Sequence, residues 1–210
     1  MKKQRSTICF IEKSGGEFME EGLLKMDEYT HSVMTIEEYD SLPENVRVEL
    51  IDGEVYDMAS PSRIHQTLVV KLCNIISNYI EKNDGECEVY VAPFDVKLND
   101  KADKPTIVQP DIFIVCDKSL LDDKRCNGAP DFIIEIVSPT SIQMDYIKKL
   151  SLYNDCGVKE YWIVNPISKE VDVYLLEQVT KPFHYNFTDK VKINIYGDLY
   201  IDFSKISKLL

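Results

Sequence analysis

Apolar and polar residues alternate in some parts of this chain and recur every three or four residues in others. The alternation around Asp52-Gly53 predicts a hairpin of two strands, 46–51 and 54–58, because Asp-Gly is a preferred two-residue hairpin turn. The stretch from Ser60 to about Lys82 has helical spacing instead, with one face formed by His65, Leu68, Leu72, Ile76 and Tyr79. The chain therefore combines strands with a long helix.

Further short apolar runs predict strands at 88–91, 94–98, 112–115, around Glu135, 160–164 and 170–176, and weaker patterns at 192–196 and 199–203 predict a last hairpin. A capping box at Thr35 to Glu38 predicts a short helix. A third helix is expected from about Ser138 to Cys156-Gly157, where glycine favours a left-handed stop. Helices between buried strands, with hairpins around them, predict an α/β fold with a mixed central sheet and a helix on each face.

One domain accounts for this pattern, and 210 residues are enough to bury its core. Residues 34–178 carry most of the strand and helix signals. Residues 179–210 are expected to form a hairpin and tail packed on the same domain. Residues 1–33 are more polar, and we interpret them as an N-terminal extension of uncertain order.

Composition and charge narrow the classes of function. The chain is 44% hydrophobic and 29% charged, which is typical of a globular protein, and its net charge of -12 allows nucleic-acid binding only through a local positive patch. Its six cysteines are scattered without a C-x-x-C pair, which predicts free thiols rather than a disulfide frame or zinc site. No apolar run is long enough to span a bilayer, so we expect a cytoplasmic protein.

Two acidic residues lie where apolar residues are expected. Asp111 directly precedes an apolar strand, and Glu135 lies within the next one. A carboxylate removed from water normally neutralises, pairs with a cation or binds a metal. A shared divalent cation accounts for both acids, whereas the simpler interpretations are a turn at Asp111 and a structural salt bridge from Glu135 to Lys149.

An Asp, then a Glu in the next strand, then a Lys is the skeleton of the PD-(D/E)xK nucleases. Pro110-Asp111 and Glu135 fit it, but Val137 stands where the Lys belongs. The wider sequence closely resembles the bacterial restriction-endonuclease family of the Uma-two type, a branch of these nucleases, through Glu49 to Val55, Ser60-Pro61-Ser62 with His65, Pro110-Asp111, Glu135 to Pro139, Asp145 with Lys149 and Tyr153, and Gly157 to Pro166. The resemblance covers roughly Met34 to Leu176.

This resemblance implies a restriction-endonuclease-like core with added hairpins, and a Mg²⁺-dependent endonuclease that hydrolyses DNA, with Mn²⁺ as a substitute. Asp111, Glu135 and the backbone carbonyl of Ile136 would hold the metal, since Mg²⁺ prefers oxygen ligands. In the family the catalytic lysine is thought to have moved to the helix after the Glu strand, where Lys149 matches it. Its ammonium would hold the attacking water or the scissile phosphate.

Several other residues are expected to support this site. Asp145 lies four residues before Lys149, so it shares a helical face with that lysine and can steer it. Glu49 is a further metal ligand or orients one, provided that the strand face with Arg47, Glu49 and Ile51 is the site face. His65 is either a supporting or substrate contact or a core histidine. The candidate substrate contacts are Arg63 and Lys148.

The expected partner is DNA, bound by a local patch, and a homodimer joining two clefts would reconcile DNA cleavage with the acidic charge. The alternative from another functional class is a non-catalytic binding or accessory protein that keeps the nuclease fold. The acidic charge favours that alternative mildly, because nonspecific DNA affinity comes largely from neutralising phosphates.

Overall fold

The computed structural model describes residues 33–43, 45–99, 104–176 and 181–210. The helices are α1 (Ile36–Asp40), α2 (Arg63–Lys82), α3 (Leu150–Cys156) and α4 (Phe203–Ser207), with a 3₁₀ turn at Lys118–Leu120 and a π-helical segment, Met144–Lys149, directly before α3. The strands are β1 (Val48–Ile51), β2 (Glu54–Asp57), β3 (Glu88–Val91), β4 (Asp95–Leu98), β5 (Thr106–Val108), β6 (Ile112–Val115), β7 (Arg125–Cys126), β8 (Phe132–Ile136), β9 (Glu160–Asn165), β10 (Glu170–Leu175), β11 (Phe183–Asn186), β12 (Lys190–Lys192) and β13 (Tyr200–Asp202). Of the predicted extension 1–33, only Val33 lies within the described residues.

The strands form a six-stranded sheet in the order β11-β10-β9-β8-β6-β3, a five-stranded sheet in the order β2-β1-β5-β4-β7, and the pair β12-β13. Both larger sheets are mixed, because β8 pairs with β9, and β4 with β7, in parallel. The parallel pair β8 and β9 needs a crossover connection, which the π-helical segment and α3 supply. The prediction of a mixed central sheet with helices around it is therefore confirmed.

The six-stranded sheet is covered on both faces, and successive residues of each strand contribute to opposite faces. One face packs against α2 through Ile112, Ile114, Ile134 and Ile136. The opposite face packs against α3 and the five-stranded sheet through Phe113, Val115, Ile133, Tyr161 and Ile163. Residues near the C-terminus, including Phe187, Ile201 and Phe203, belong to the cluster on the α2 face.

Local signals explain the elements that the sequence predicts correctly. The Ser62 hydroxyl accepts a hydrogen bond from the His65 N–H and caps α2. Thr35 and Glu38 form the predicted capping box of α1. Gly157, at the end of α3, has a φ of 90°, which is the left-handed stop expected there.

Other elements differ from the prediction. β5 lies in a stretch interpreted as a loop, and β7 lies within a charged connection. The last hairpin exists, but its first strand is β12, at Lys190–Lys192, rather than 192–196. Strand β11 and helix α4 were not predicted, because β11 is a largely exposed edge strand and α4 has only five residues.

The prediction of free thiols is wrong for one pair, because Cys87 and Cys116 form a disulfide. Antiparallel pairing of β3 with β6 sets Glu88 opposite Val115, so the flanking cysteines meet although 29 residues separate them. Cys73 and Cys126 remain thiols. Within the described ranges, no helix combines the length and apolar character needed to cross a membrane.

Leu72 tests the packing of α2. Its side chain is fully buried against the six-stranded sheet, so Leu72→Ala is expected to lower the free energy of unfolding by about 2–5 kcal/mol. Val70, on the outer side of the same helix, is 59% exposed, and Val70→Ala is expected to stay within about 0.5 kcal/mol of wild type. Urea unfolding of both variants measures the difference, and equal losses would contradict the assigned helix face.

Candidate active site

Asp111 and Glu135 lie beside each other where the paired strands β6 and β8 end. Asp111 directly precedes β6, two residues before Phe113, and Glu135 follows Ile133 by two residues on β8. Phe113 and Ile133 both belong to the cluster beneath α3. Because alternate residues of a strand share a face, the Glu135 carboxylate points to the α3 side. The Asp111 carboxylate, just before β6, contacts His65 of α2, and the Asp111 N–H lies 3.4 Å from Glu135 Oε2.

Two donors hold one oxygen of Asp111. The Ile136 N–H donates to Asp111 Oδ2 at 2.8 Å, and His65 Nε2, from the first turn of α2, lies 3.0 Å from the same oxygen. An ionised carboxylate only accepts, so Nε2 carries the proton and donates it. In the described part of the chain, no donor bonds to Asp111 Oδ1.

Two donors also hold one oxygen of Glu135, which is only 5% exposed. Lys149 Nζ donates to Oε1 at 2.9 Å, and the Tyr153 hydroxyl donates to the same oxygen at 2.8 Å. Among the residues that the structure describes, the other oxygen, Oε2, has only the long contact with the Asp111 N–H. The structure thus joins Glu135 to Lys149, a residue of the crossover connection.

The Lys149 ammonium is surrounded by three buried carboxylates. It donates to Glu49 Oε1 and to Glu135 Oε1, both at 2.9 Å, and lies 4.0 Å from Asp145 Oδ1. Glu49 Oε1 also accepts the Gln109 N–H at 2.9 Å. Asp145 and Lys149 both lie in the π-helical segment, an element that often marks functional sites.

Glu49 reaches Lys149 because of the register of β1. Ile51 packs in the cluster between the two sheets, whereas Leu50 packs on the outer side of the five-stranded sheet. Glu49 shares the face of Ile51 by alternation. The strand face with the acid is therefore the face that meets the other carboxylates, as the prediction for Glu49 required.

Burial and like charges shift the pKa values of this cluster. Desolvation raises the pKa of Glu135 well above its ordinary range; Lys149 opposes this shift, and the neighbouring acids add to it. Desolvation likewise raises the pKa of Asp145 to about 6. Burial of Lys149 lowers its pKa, but Glu135, Glu49 and Asp145 raise it more, so the ammonium is retained. The cluster contains three carboxylates and one ammonium, so its excess of acidic groups favours the binding of a further cation.

The remaining candidate residues lie elsewhere. Arg63 Nη2 donates to the Leu210 carbonyl oxygen at 3.2 Å. Lys148 pairs with Glu54 at 3.2 Å and lies 4.3 Å above the Tyr56 ring. Within the described residues, neither side chain bonds to the carboxylates around Lys149.

Sequence reasoning gave no role to two groups that touch the site, the Tyr153 hydroxyl and the Gln109 N–H. Tyr153 belongs to the sequence segments that carry the family resemblance, but a buried tyrosine in a helix is usually a core residue. The Gln109 N–H is a backbone group, and its bond to Glu49 depends on the pairing of β1 with β5. No local pattern marks either contact.

The mixed sheet, the acids beside β6 and on β8, and the lysine on the crossover from β8 to β9 define an α/β fold of the restriction-endonuclease-like class. The chain belongs to the Uma2 family, described as "Putative restriction endonuclease", which matches residues 36–196. The resemblance inferred from the sequence is thereby confirmed.

Two further proteins are similar to this chain. A structure from Anabaena variabilis, described as "a putative nuclease belonging to DUF820", has a TM-score of 0.68 and 19% identity and covers 83% of this chain and 98% of that one. This likeness shows the fold. The "Uncharacterized protein slr1290" of Synechocystis is 26% identical over 127 residues, which are 60% of this chain and 64% of that protein. The match therefore spans less than two thirds of that relative.

Proposed function

We propose that this protein is a Mg²⁺-dependent endonuclease that hydrolyses phosphodiester bonds of DNA. The observation that carries the proposal is that Asp111 and Glu135 lie side by side, with the Asp111 N–H 3.4 Å from Glu135 Oε2, and that the π-helical segment brings Lys149 onto Glu135. Family membership supports a nuclease, since the family is described as a restriction endonuclease. The same description supports DNA as the substrate.

The donor set fits a hard divalent cation. Each of the two carboxylates has one oxygen held by two donors. Within the described ranges, the other oxygen has no donor in Asp111 and one long contact in Glu135. Among the described residues, no group of three or more His, Cys, Asp or Glu side chains is spaced to hold a metal. Mg²⁺ needs only one or two carboxylates, with water and substrate phosphate as its other ligands.

Asp111 and Glu135 would hold the cation, with the Ile136 backbone carbonyl as a further ligand. When bound, Mg²⁺ supplies Lewis acidity at the phosphate and lowers the pKa of a water. The His65 imidazole and the Ile136 N–H orient Asp111. Lys149, whose charge Glu49 and Asp145 maintain, holds the attacking water or a phosphate oxygen through an N–H that is not bonded to a carboxylate.

A second candidate is a non-catalytic binding protein with the same fold. It is favoured by the net charge of -12 and by the two short bonds from Lys149 to carboxylates, which also suit a structural ion pair. A metal titration separates the candidates, because a structural ion pair does not require a divalent cation.

Metal-dependent nicking tests the proposal. Supercoiled plasmid incubated with the purified protein is expected to become open-circular in Mg²⁺ or Mn²⁺, to remain intact with a chelator, and to be cut again when excess metal is restored. Calorimetry is expected to show Mn²⁺ binding. Absence of both cleavage and binding at millimolar metal would favour the accessory protein. An RNA substrate of matched length tests the preference for DNA.

The proposal includes a homodimer that acts in the cytoplasm. Two copies would place two clefts on one duplex and confine positive potential to the shared face, which an acidic chain needs for contact with DNA. Sedimentation equilibrium gives the molar mass directly. A monomer that still cleaves DNA would contradict the proposed dimer but not the proposed metal-dependent cleavage.

A further inference from the structure

We propose that Tyr153 is a positioning residue that keeps Glu135 in place while the Lys149 ammonium turns toward a water or phosphate oxygen. The inference rests on the proposed function and assigns a role to a residue that touches neither the substrate nor the metal. It starts from the sharing of one oxygen, Glu135 Oε1, by the Tyr153 hydroxyl at 2.8 Å and the Lys149 ammonium at 2.9 Å.

The two donors differ in mobility. A lysine has four rotatable side-chain bonds and an ammonium that can turn to a new acceptor, whereas a tyrosine has two torsions and a rigid ring. Tyr153 is fully buried, and its ring packs edge-on against Tyr161 with centroids 4.9 Å apart. Tyr153 is therefore the fixed donor and Lys149 the movable one.

This difference matters because two of the three N–H groups of the Lys149 ammonium bind carboxylates, and bringing the third to a water or phosphate oxygen turns the ammonium. Both short hydrogen bonds of Lys149 go to carboxylates, so turning toward a water or phosphate oxygen weakens its hold on Glu135. With Tyr153 in place, Oε1 keeps a donor and the carboxylate does not rotate. Oε2, whose recorded contact is the 3.4 Å approach of the Asp111 N–H, then stays available to a cation beside Asp111.

Tyr161 supplies a matched control. It is as buried as Tyr153, belongs to the same ring pair and also loses one buried hydroxyl when changed to phenylalanine. Its hydroxyl, however, bonds to a backbone carbonyl instead of to Glu135. Tyr153→Phe and Tyr161→Phe therefore remove equivalent groups, and only the first removes a donor from the carboxylate.

The test compares Mn²⁺ affinity by calorimetry and the Mg²⁺ concentration at half-maximal nicking rate. For Tyr153→Phe, both are expected to weaken by about 10-fold or more, the scale found when partners that orient metal ligands are removed. For Tyr161→Phe, both should stay within about two-fold of wild type. Equal weakening in the two variants would assign the effect to packing and overturn the role of Tyr153.

The proposed function and this inference fail separately. Wild-type protein that neither binds Mn²⁺ nor cleaves DNA refutes the function. Active wild type with an unchanged Tyr153→Phe variant refutes the inference alone. Wild-type crystals soaked in Mn²⁺ give a direct answer even if the variant does not fold: the metal is expected on the Glu135 oxygen that Tyr153 does not touch. Metal on the Tyr153-bonded oxygen would overturn the proposal.

Discussion

Replacing Glu135 by glutamine is expected to lower metal-dependent nicking by about a thousandfold. The amide oxygen can still accept from Lys149 and Tyr153, so the buried contacts at Oε1 survive, but the negative charge that binds a cation is lost. A bound metal ion lowers the activation barrier by several kcal/mol as a Lewis acid. Because about 1.4 kcal/mol corresponds to a tenfold change in rate, weaker metal binding is expected to slow cleavage by this factor. Asp111→Asn should behave in the same way, because it neutralises the other carboxylate and keeps its shape.

The measurement is the single-turnover nicking rate at saturating Mg²⁺, with Mn²⁺ affinity from calorimetry alongside. Glu88→Gln is the matched control, because Glu88 is 40% exposed and pairs with Lys118 outside the site. It makes the same chemical change and should leave the rate within about two-fold of wild type. Equal cleavage by wild type and Glu135→Gln would place the activity at another site or in a contaminant.

Local sequence signals predicted the parts of this molecule that local forces determine. The amphipathic pattern of α2 fixed its bounds, and an acid inside an apolar strand identified Glu135 as exceptional. Strand β5 has three residues between Pro105 and Pro110, and β7 has two, so neither is long enough to display a period. Their existence depends on pairing with distant strands.

The sequence predicted which residues form the candidate site, but it did not predict the contacts between them. Lys149 was identified by resemblance, and its spacing from Asp145 indicated a shared helical face. The contact between Glu49 and Lys149 joins residues 100 positions apart, and the π-helical turn that carries the lysine has no pattern in the sequence. Such contacts arise only when the two sheets and the crossover helix pack together. The same holds for the meeting of Cys87 with Cys116.

Replacing Lys149 by methionine is expected to destabilise the protein by about 3–5 kcal/mol and to abolish cleavage. Methionine fills a similar volume, so the main loss is the ammonium that neutralises Glu49 and Glu135 in a site where all three side chains are about 5% exposed. Removing one partner of a buried ion pair leaves an uncompensated buried charge, which carries a penalty of this size. Urea unfolding at pH 7.5 measures it.

The destabilisation by Lys149→Met should be smaller at low pH. The pKa of Asp145 is about 6 in the folded wild type, above its ordinary value, so the folded state binds more protons than the unfolded state between roughly pH 4 and 6, and its stability falls as the pH rises through that window. Without Lys149, Glu135 and Asp145 lose the cation that opposes their protonation. The gap between wild type and Lys149→Met should therefore be smaller at pH 5 than at pH 7.5.

Lys118→Met controls for the change in net charge. Lys118 is 55% exposed and pairs with Glu88 on the surface, and removing such a pair typically costs about 1 kcal/mol or less. The double variant strengthens the comparison. In a protein that already carries Glu135→Gln, Lys149→Met should lower the free energy of unfolding less than it does in wild type, because one of the unpaired charges is already gone. If Lys149→Met were no more destabilising than Lys118→Met, the ammonium would not be the counter-ion of the buried acids, and the acid cluster would have to be neutralised by protons instead.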